Sequence, residues 1–100
     1  MNSRRITGFD WDTANITHIA LHKVTVEEAE EIFSDPNQVV QDDVKHSTEK
    51  EKSSIIIGKT EEGRVLYQVF TLRGNKIRVI SSRDINKKEV KLYEETVSHS

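Results

Sequence analysis

Residues 64–82 have the sequence RVLYQVFTLRGNKIRVISS, in which two apolar-rich runs flank the pair Gly74-Asn75. Alternating residues on both sides of a two-residue turn signal are typical of an antiparallel β-hairpin. If Gly74 and Asn75 form the turn, Arg73 pairs with Lys76, and Thr71 lies opposite Arg78. One face of this hairpin then carries three cations and a threonine near the turn and continues with Tyr67, Val69 and Ile80. The other face carries the apolar side chains of Phe70, Leu72, Ile77 and Val79.

The remaining elements follow outward from this hairpin. Strands are also predicted at Ser53–Gly58, before the turn signal Glu62-Gly63, and more weakly at Val39–Gln41, with a loop over residues 42–52. The predicted helices are Ala14–Leu21, Val26–Phe33 and Ile85–Val97, capped by Asp12 or Thr13, by Thr25 in a capping box, and by Asp84. We therefore expect one α+β domain with an antiparallel sheet of three or four strands, Arg64–Leu72 central, and the helices on one sheet face.

The composition limits the class of protein. A chain of 100 residues without cysteine fits one domain and has no disulfide framework. Its longest apolar run, Ile55 to Ile57, is far too short to span a membrane, and no signal peptide is visible, so we expect a cytoplasmic protein. Residues 1–52 carry 6 Lys/Arg against 11 Asp/Glu (−5), whereas residues 53–100 carry 9 against 6 (+3). This split either reflects ordinary surface variation or gives the second half a surface for phosphate.

The cations beside the predicted turn are the first candidate site. Arg73, Lys76 and Arg78 on one sheet face repel one another unless an anion offsets their charge, as on a phosphate-binding surface. The alternative is a solvated sheet region whose charges prevent strand aggregation. Arg83 ends the same strand, and Lys87 and Lys88 occupy the first turn of the last helix, where cations are unfavourable unless something negative binds nearby. In the salt of a cell, however, exposed lysines there cost little.

Two histidines four residues apart, His18 and His22, are predicted on the first helix. They could share a metal ion, but no third ligand is evident, so we expect no metal site. Acid–base chemistry is the functional reading, because histidine titrates near neutral pH. A surface pair that only forms hydrogen bonds is the alternative.

Several segments, taken in order, resemble the BrnT family of ribonuclease toxins. They span about residues 9–95 and are Phe9-Asp10-Trp11-Asp12, residues 18–25 with Glu27-Glu28-Ala29, residues 58–64, Phe70-Thr71-Leu72-Arg73-Gly74, residues 77–83, Lys87-Lys88-Glu89 and Tyr93-Glu94-Glu95. Three segments depart from the family pattern. The first helix resembles a shorter variant, in which Asn15 and His18 replace the expected lysine-bearing pattern. Leu21-His22-Lys23-Val24 stands where the family usually has Lys-His-Gly-Val, and Ser81-Ser82-Arg83 stands where it has Ser-Ala-Arg.

This resemblance implies a RelE-like fold, cleavage of RNA, and a cognate antitoxin partner through which operator DNA is bound. It carries over Arg64, Arg73, Arg78, Arg83 and His22 as site residues. We expect metal-independent cleavage without a cofactor, in which the RNA 2′-hydroxyl attacks the adjacent phosphate. In this scheme His22, Arg78 and Arg83 are catalytic around one concave surface, and RNA is bound by Arg64, Arg73, Lys76, Lys87 and Lys88. The alternative is a non-catalytic protein-binding module that retains the toxin fold.

Overall fold

The computed structural model of the protein describes residues 5–43 and 52–98. Over these residues the chain forms five strands and three α-helices, with a short 3₁₀ turn at Ile32–Ser34. The elements in chain order are β1 (Gly8–Phe9), α1 (Thr13–Ala20), α2 (Val26–Glu31), β2 (Val39–Asp43), β3 (Ser53–Lys59), β4 (Val65–Arg73), β5 (Lys76–Asp84) and α3 (Lys87–Ser98). The predicted α+β class is confirmed. Asp42 and Asp43 extend β2, and the rest of the predicted loop lies largely outside the described residues, which resume at Lys52.

The strands form one mixed sheet in the order β1-β5-β4-β3-β2. The central place predicted for Arg64–Leu72 is confirmed, because β4 lies in the middle. The prediction of a purely antiparallel sheet with three or four strands was wrong, since β1 adds a fifth strand parallel to β5. The sequence suggests a short strand at Arg5–Phe9, which includes β1, but a strand of two residues shows no alternating pattern from which its pairing could be predicted.

The β4–β5 hairpin has the register predicted near its turn. Arg73 pairs with Lys76 and Thr71 with Arg78. Gly74 has a φ of 62°, whereas Asn75 has no positive φ, which is the pattern of a type II′ turn. A bulge between Val69 and Phe70 then shifts the register, so that Val69 pairs with Ser81. Ile80 is the additional residue of this bulge, so it no longer pairs with Val69 as strict alternation required.

The core lies between one face of the sheet and the two N-terminal helices. The capping box of Thr25 at the start of α2 is confirmed, and Asp12, one of the two caps considered for α1, caps that helix in a second capping box. The buried apolar side chains of this core are Ile19, Val24, Ala29, Ile32, Ile56, Leu66, Phe70, Ile77 and Val79. Gly58 allows close packing here, because a Cβ at this position would lie 2.8 Å from the carbonyl oxygen of Ile32.

The last helix lies on the opposite face of the sheet, which corrects the prediction of all helices on one face. Its Tyr93 ring contacts the ammonium of Lys59, and its Glu89 binds Arg83. By strand pairing, Lys59 and Arg83 belong to the face opposite the core residue Leu66. The helix is also capped differently from the prediction, since Asn86 and Glu89 exchange backbone-to-side-chain hydrogen bonds. Asp84 instead binds Arg64.

A buried hydrogen bond fixes α3 to the loop after α2. The Tyr93 hydroxyl donates to Asp35 Oδ2 over 2.6 Å, and the Lys59 and Asn37 amides donate to the same carboxylate. Although burial works to raise the pKa of Asp35, these hydrogen bonds lower it below its ordinary value. Burial and the neighbouring carboxylate raise the pKa of Tyr93, so its hydroxyl remains a donor.

Candidate functional site

The predicted site residues fall into two groups at opposite ends of β5. We call the first group the turn end: it contains Arg73, Lys76 and Arg78, beside the hairpin turn. The second group is the helix end, near the start of α3, and contains His22, Arg64, Arg83, Lys87 and Lys88. Arg83 follows Arg78 by five positions on β5, which corresponds to about 15 Å along the strand. The bulge at Ile80 places both arginines on one sheet face, but this face does not bring the two groups together.

An open pocket of about 320 Å³ lies at the turn end. Its polar lining combines Arg73 and Arg78 from the hairpin with Asn15 and His18 from α1, and its apolar lining is Ala14, Val79 and Ile80. Two guanidinium groups, an imidazole and a small apolar floor form a site suited to an anion that carries a flat or apolar portion.

Arg78 is the most enclosed cation of this pocket, with 13% of its side chain exposed. Its guanidinium lies 3.0 Å from Asp12 Oδ2 and 3.7 Å from Asp10 Oδ1. The hydrogen bond from Arg78 lowers the pKa of Asp12, with help from the Asn15 amide. The two carboxylates therefore supply part of the negative charge that the cations require. The sequence motif Asp10-Trp11-Asp12 gave no sign of this pairing, because it lies 66 residues from Arg78.

The chain leaves α1 before His22, so His18 and His22 do not share a helix face as predicted. The Lys23 amide donates to the Ala20 carbonyl and the Val24 amide to the Ile19 carbonyl. This is the hydrogen-bond pattern of a Schellman motif, with Lys23 in the left-handed conformation at a φ of 58°. The BrnT family usually has glycine at the position of Lys23. Glycine often follows the last residue of a helix, so the family pattern indicated that α1 ends here. Of the two histidines, only His18 lines the turn-end pocket.

Arg64 connects the turn after α1 to the helix end of β5. Its Nε lies 2.7 Å from Asp84 Oδ1, and its Nη1 lies 3.1 Å from Glu28 Oε1. Its two terminal nitrogens also donate to the carbonyl oxygens of His22 and Lys23 over 2.9 and 2.7 Å. The hydrogen bond from Arg64 lowers the pKa of Asp84, with a smaller contribution from the charge of His22. The predicted RNA-binding arginine thus uses all its nitrogens within the protein.

Arg83 has similar surroundings. Its Nη1 and Nη2 each lie 2.8 Å from an oxygen of Glu89, in a bidentate pair, and Nη1 also donates to the Asp84 carbonyl. Its guanidinium lies 4.2 Å from the centre of the Tyr67 ring. Although burial works to raise the pKa of Glu89, the hydrogen bonds from Arg83 and Asn86 lower it. The bulge produces this stacking, because it brings Arg83 opposite Tyr67.

Three further observations concern the described residues. Lys87 and Lys88 occupy the first turn of α3, as predicted, and both are exposed. Within residues 5–43 and 52–98, no three His, Asp or Glu side chains lie together as a metal-binding group would require. In the same ranges, no helix is both long and apolar enough to cross a membrane.

Comparison with known proteins identifies the family. No curated protein matches the chain. The family described as "Ribonuclease toxin, BrnT, of type II toxin-antitoxin system" matches residues 11–89, which include both groups of site residues. This match covers more than half of the chain and agrees with the resemblance noted from the motifs. The chain therefore belongs to the BrnT family of ribonuclease toxins from type II toxin–antitoxin systems.

Proposed function

We propose that this protein is a metal-independent endoribonuclease of the cytoplasm and that its turn-end pocket holds the scissile phosphate. The observation that supports this proposal most directly is that Arg73 and Arg78 line one open pocket together with His18. Guanidinium groups bind phosphate oxygens through paired, charge-assisted hydrogen bonds. Lys76, which pairs with Arg73 across the hairpin, adds a third cation for the flanking RNA backbone.

The reaction depends mainly on positive charge beside the phosphate, because the RNA supplies its own nucleophile. The RNA 2′-hydroxyl oxygen attacks the adjacent phosphorus, and negative charge grows on the phosphate oxygens. Arg78, with Arg73 beside it, stabilises that charge, so the mechanism needs no metal. An RNA strand that runs along β5 from this pocket reaches the exposed Lys87 and Lys88 at the helix end. Arg64 and Arg83 have a structural role in this proposal, because their nitrogens bind carboxylates and backbone carbonyls.

Purified protein incubated with a long mixed-sequence RNA tests this function. We expect new 5′-hydroxyl ends, and we expect their rate of formation to be the same with and without EDTA. Loss of cleavage in EDTA, restored by zinc or manganese, would contradict the metal-independent mechanism. A purified protein that leaves the RNA intact would contradict the proposed activity itself.

The antitoxin expected for this family is proposed to cover the turn end, because masking the phosphate pocket is the direct way to inhibit cleavage. An acidic antitoxin segment is complementary to this cationic region. The antitoxin would also supply the contacts to operator DNA. Charge reversal by Arg73→Glu and Arg78→Glu should weaken both antitoxin binding and cleavage. If cleavage is lost while antitoxin affinity stays intact, inhibition occurs on another surface.

One observation favours the second candidate, a non-catalytic binding module that retains the fold. Asp10 and Asp12 already pair with Arg78, so an RNA phosphate must share or displace them. Asp12→Asn separates the two candidates, because asparagine keeps the helix cap but removes the competing charge. If the protein is a ribonuclease, the variant should bind RNA several-fold more tightly, because one negative charge that repels the phosphate has been removed. A binding module should show no gain and no cleavage.

A further inference from the structure

We propose that His18 is the general base of the turn-end pocket. This assignment rests on the proposed ribonuclease function and goes beyond it, because the family resemblance had indicated His22 as the catalytic histidine. The arrangement of α1 against β5 carries the proposal. This arrangement places His18 in the lining of the pocket and leaves His22 outside it.

Asn15 fixes the part of α1 from which His18 extends. Its side chain is 4% exposed, and its Nδ2 donates to the Val79 carbonyl over 3.1 Å and to the Asp10 carbonyl over 2.9 Å. One of these bonds therefore attaches the helix to β5 directly beside Arg78. His18 follows three residues later, on the same helix face as Asn15. The helix is thus held so that His18 lines the same pocket as Arg73 and Arg78.

His22 has no comparable position. It follows the end of α1, and its carbonyl oxygen is bound by Arg64 at the helix end. Its side chain contributes to the electrostatic surroundings of Asp84, the carboxylate that ends β5. A base must come within hydrogen-bond distance of the proton it removes, and His22 is not among the residues that line the pocket with Arg78.

The proposed step uses one imidazole and water. Neutral His18 takes the proton of the 2′-hydroxyl while the 2′-oxygen forms a bond to phosphorus. The bond from phosphorus to the 5′-oxygen breaks, and that oxygen leaves with a proton from water. The products are a 2′,3′-cyclic phosphate and a 5′-hydroxyl end, and the resulting hydroxide removes the proton from the imidazolium. The charged groups around His18 are the guanidinium groups of Arg73 and Arg78 and, beyond Arg78, the carboxylates of Asp10 and Asp12.

The matched variants His18→Gln and His22→Gln test the assignment, since both histidines are exposed and glutamine keeps each polar. Three measurements are made on each variant: the cleavage rate of a long mixed-sequence RNA between pH 5 and 8, the affinity for a 2′-O-methyl RNA, and Tm. We expect His18→Gln to lower kcat by about 10²–10⁴-fold, which is the usual contribution of a general base. Affinity for the 2′-O-methyl RNA and Tm should stay unchanged. The wild-type rate should rise with pH across the range in which histidine titrates, and His18→Gln should abolish this rise.

The control variant His22→Gln should cleave at the wild-type rate. Full activity of His18→Gln, or loss of activity in His22→Gln alone, would overturn the assignment while leaving the ribonuclease function intact. A wild-type rate that falls as pH rises through the histidine range would show that a protonated acid is required instead, which also contradicts the proposed base. If the wild-type protein does not cleave RNA, the proposed function fails and the role of His18 fails with it.

Discussion

At the turn end of β5, Arg73 and Arg78 line an open pocket with an imidazole, whereas at the helix end Arg64 and Arg83 bind carboxylates and backbone carbonyls. In the proposed function, arginines therefore have different roles at the two ends of the β4–β5 hairpin. At the helix end the arginines bind Glu28, Glu89 and two carbonyls of the turn after α1. At the turn end Asp10 and Asp12 are 36% and 53% exposed, which is more than Glu28 and Glu89 (24% and 12%) but less than Asp84 (64%) at the helix end. The Asp12 side of its pair with Arg78 is accessible to water, which weakens the pair by screening, so in the proposed function an RNA phosphate can compete for Arg78.

The largest expected difference between the two ends concerns cleavage. Arg78→Gln should lower kcat/KM by about 100-fold, because it removes a charged donor aimed at the developing negative charge. Its Tm should change little, since the carboxylates left behind are accessible to water. Arg83→Gln, the matched control, should keep the kcat/KM of the folded protein. Equal loss of activity in both variants would contradict a division of function along β5.

The next effect concerns the stability of the helix end. Arg64→Gln should lower the free energy of unfolding by about 2 kcal/mol, because two backbone carbonyls and two carboxylates lose a charged donor and part of this contact is screened by water. For a domain of this size the loss corresponds to a decrease in Tm of about 10 °C. The control is Lys91→Gln, which removes an exposed cation from α3. Its Tm should equal that of the wild type. A normal Tm for Arg64→Gln would return this arginine to the RNA-binding candidates.

A smaller, pH-dependent effect is expected where α3 is attached. Tyr93→Phe should lower the free energy of unfolding by about 1.5 kcal/mol at pH 7, through loss of the hydrogen bond to the Asp35 carboxylate. Because the folded-state pKa of Asp35 is lowered, its stabilising contribution is present above the unfolded value of 3.8 and is lost as pH falls through the folded value. The difference between variant and wild type in urea titrations should therefore shrink below about pH 4. A difference that stays constant from pH 7 to pH 3 would show that the bond does not depend on the ionised carboxylate.

The smallest effect tests the turn that supplies carbonyls to Arg64. Lys23→Gly should raise the free energy of unfolding by about 0.5–1 kcal/mol, since glycine adopts the left-handed conformation at the end of α1 without steric cost. Lys52→Gly, at an exposed residue just before β3, is the comparison and should give no such gain. A destabilised Lys23→Gly variant would mean that the lysine side chain makes a contribution that outweighs its backbone strain.

The sequence predicted the elements that have strong local signals. The cap at Thr25 and the pairing of Arg73 with Lys76 follow from rules that act over a few residues, and the structure confirms both. For α1 the same rules left Asp12 and Thr13 as alternatives, and the structure shows that Asp12 is the cap. The bulge at Ile80 had no such signal. It depends on the packing of both sheet faces, and it decides that Arg83 lies over Tyr67.

The site could be predicted only in part, because cations are visible in a sequence but their partners are not. Arg64 and Arg78 look alike in the sequence, and only contacts over long sequence separations distinguish them. The choice between His18 and His22 depended on where α1 ends. The one local indication of this helix end was that Lys23 occupies the position of the family's glycine. Lysine rarely adopts a positive φ, so the residue itself did not indicate the turn.

The most direct test of the division along β5 is an NMR titration of the isotope-labelled protein with 2′-O-methyl RNA, which cannot be cleaved because it lacks the attacking hydroxyl. The account predicts that the largest chemical-shift changes occur at His18, Arg73, Lys76 and Arg78. The side-chain signals of Arg64 and Arg83 should stay in place throughout the titration. Changes centred on His22, Arg64 and Arg83, with the turn end unaffected, would contradict the account.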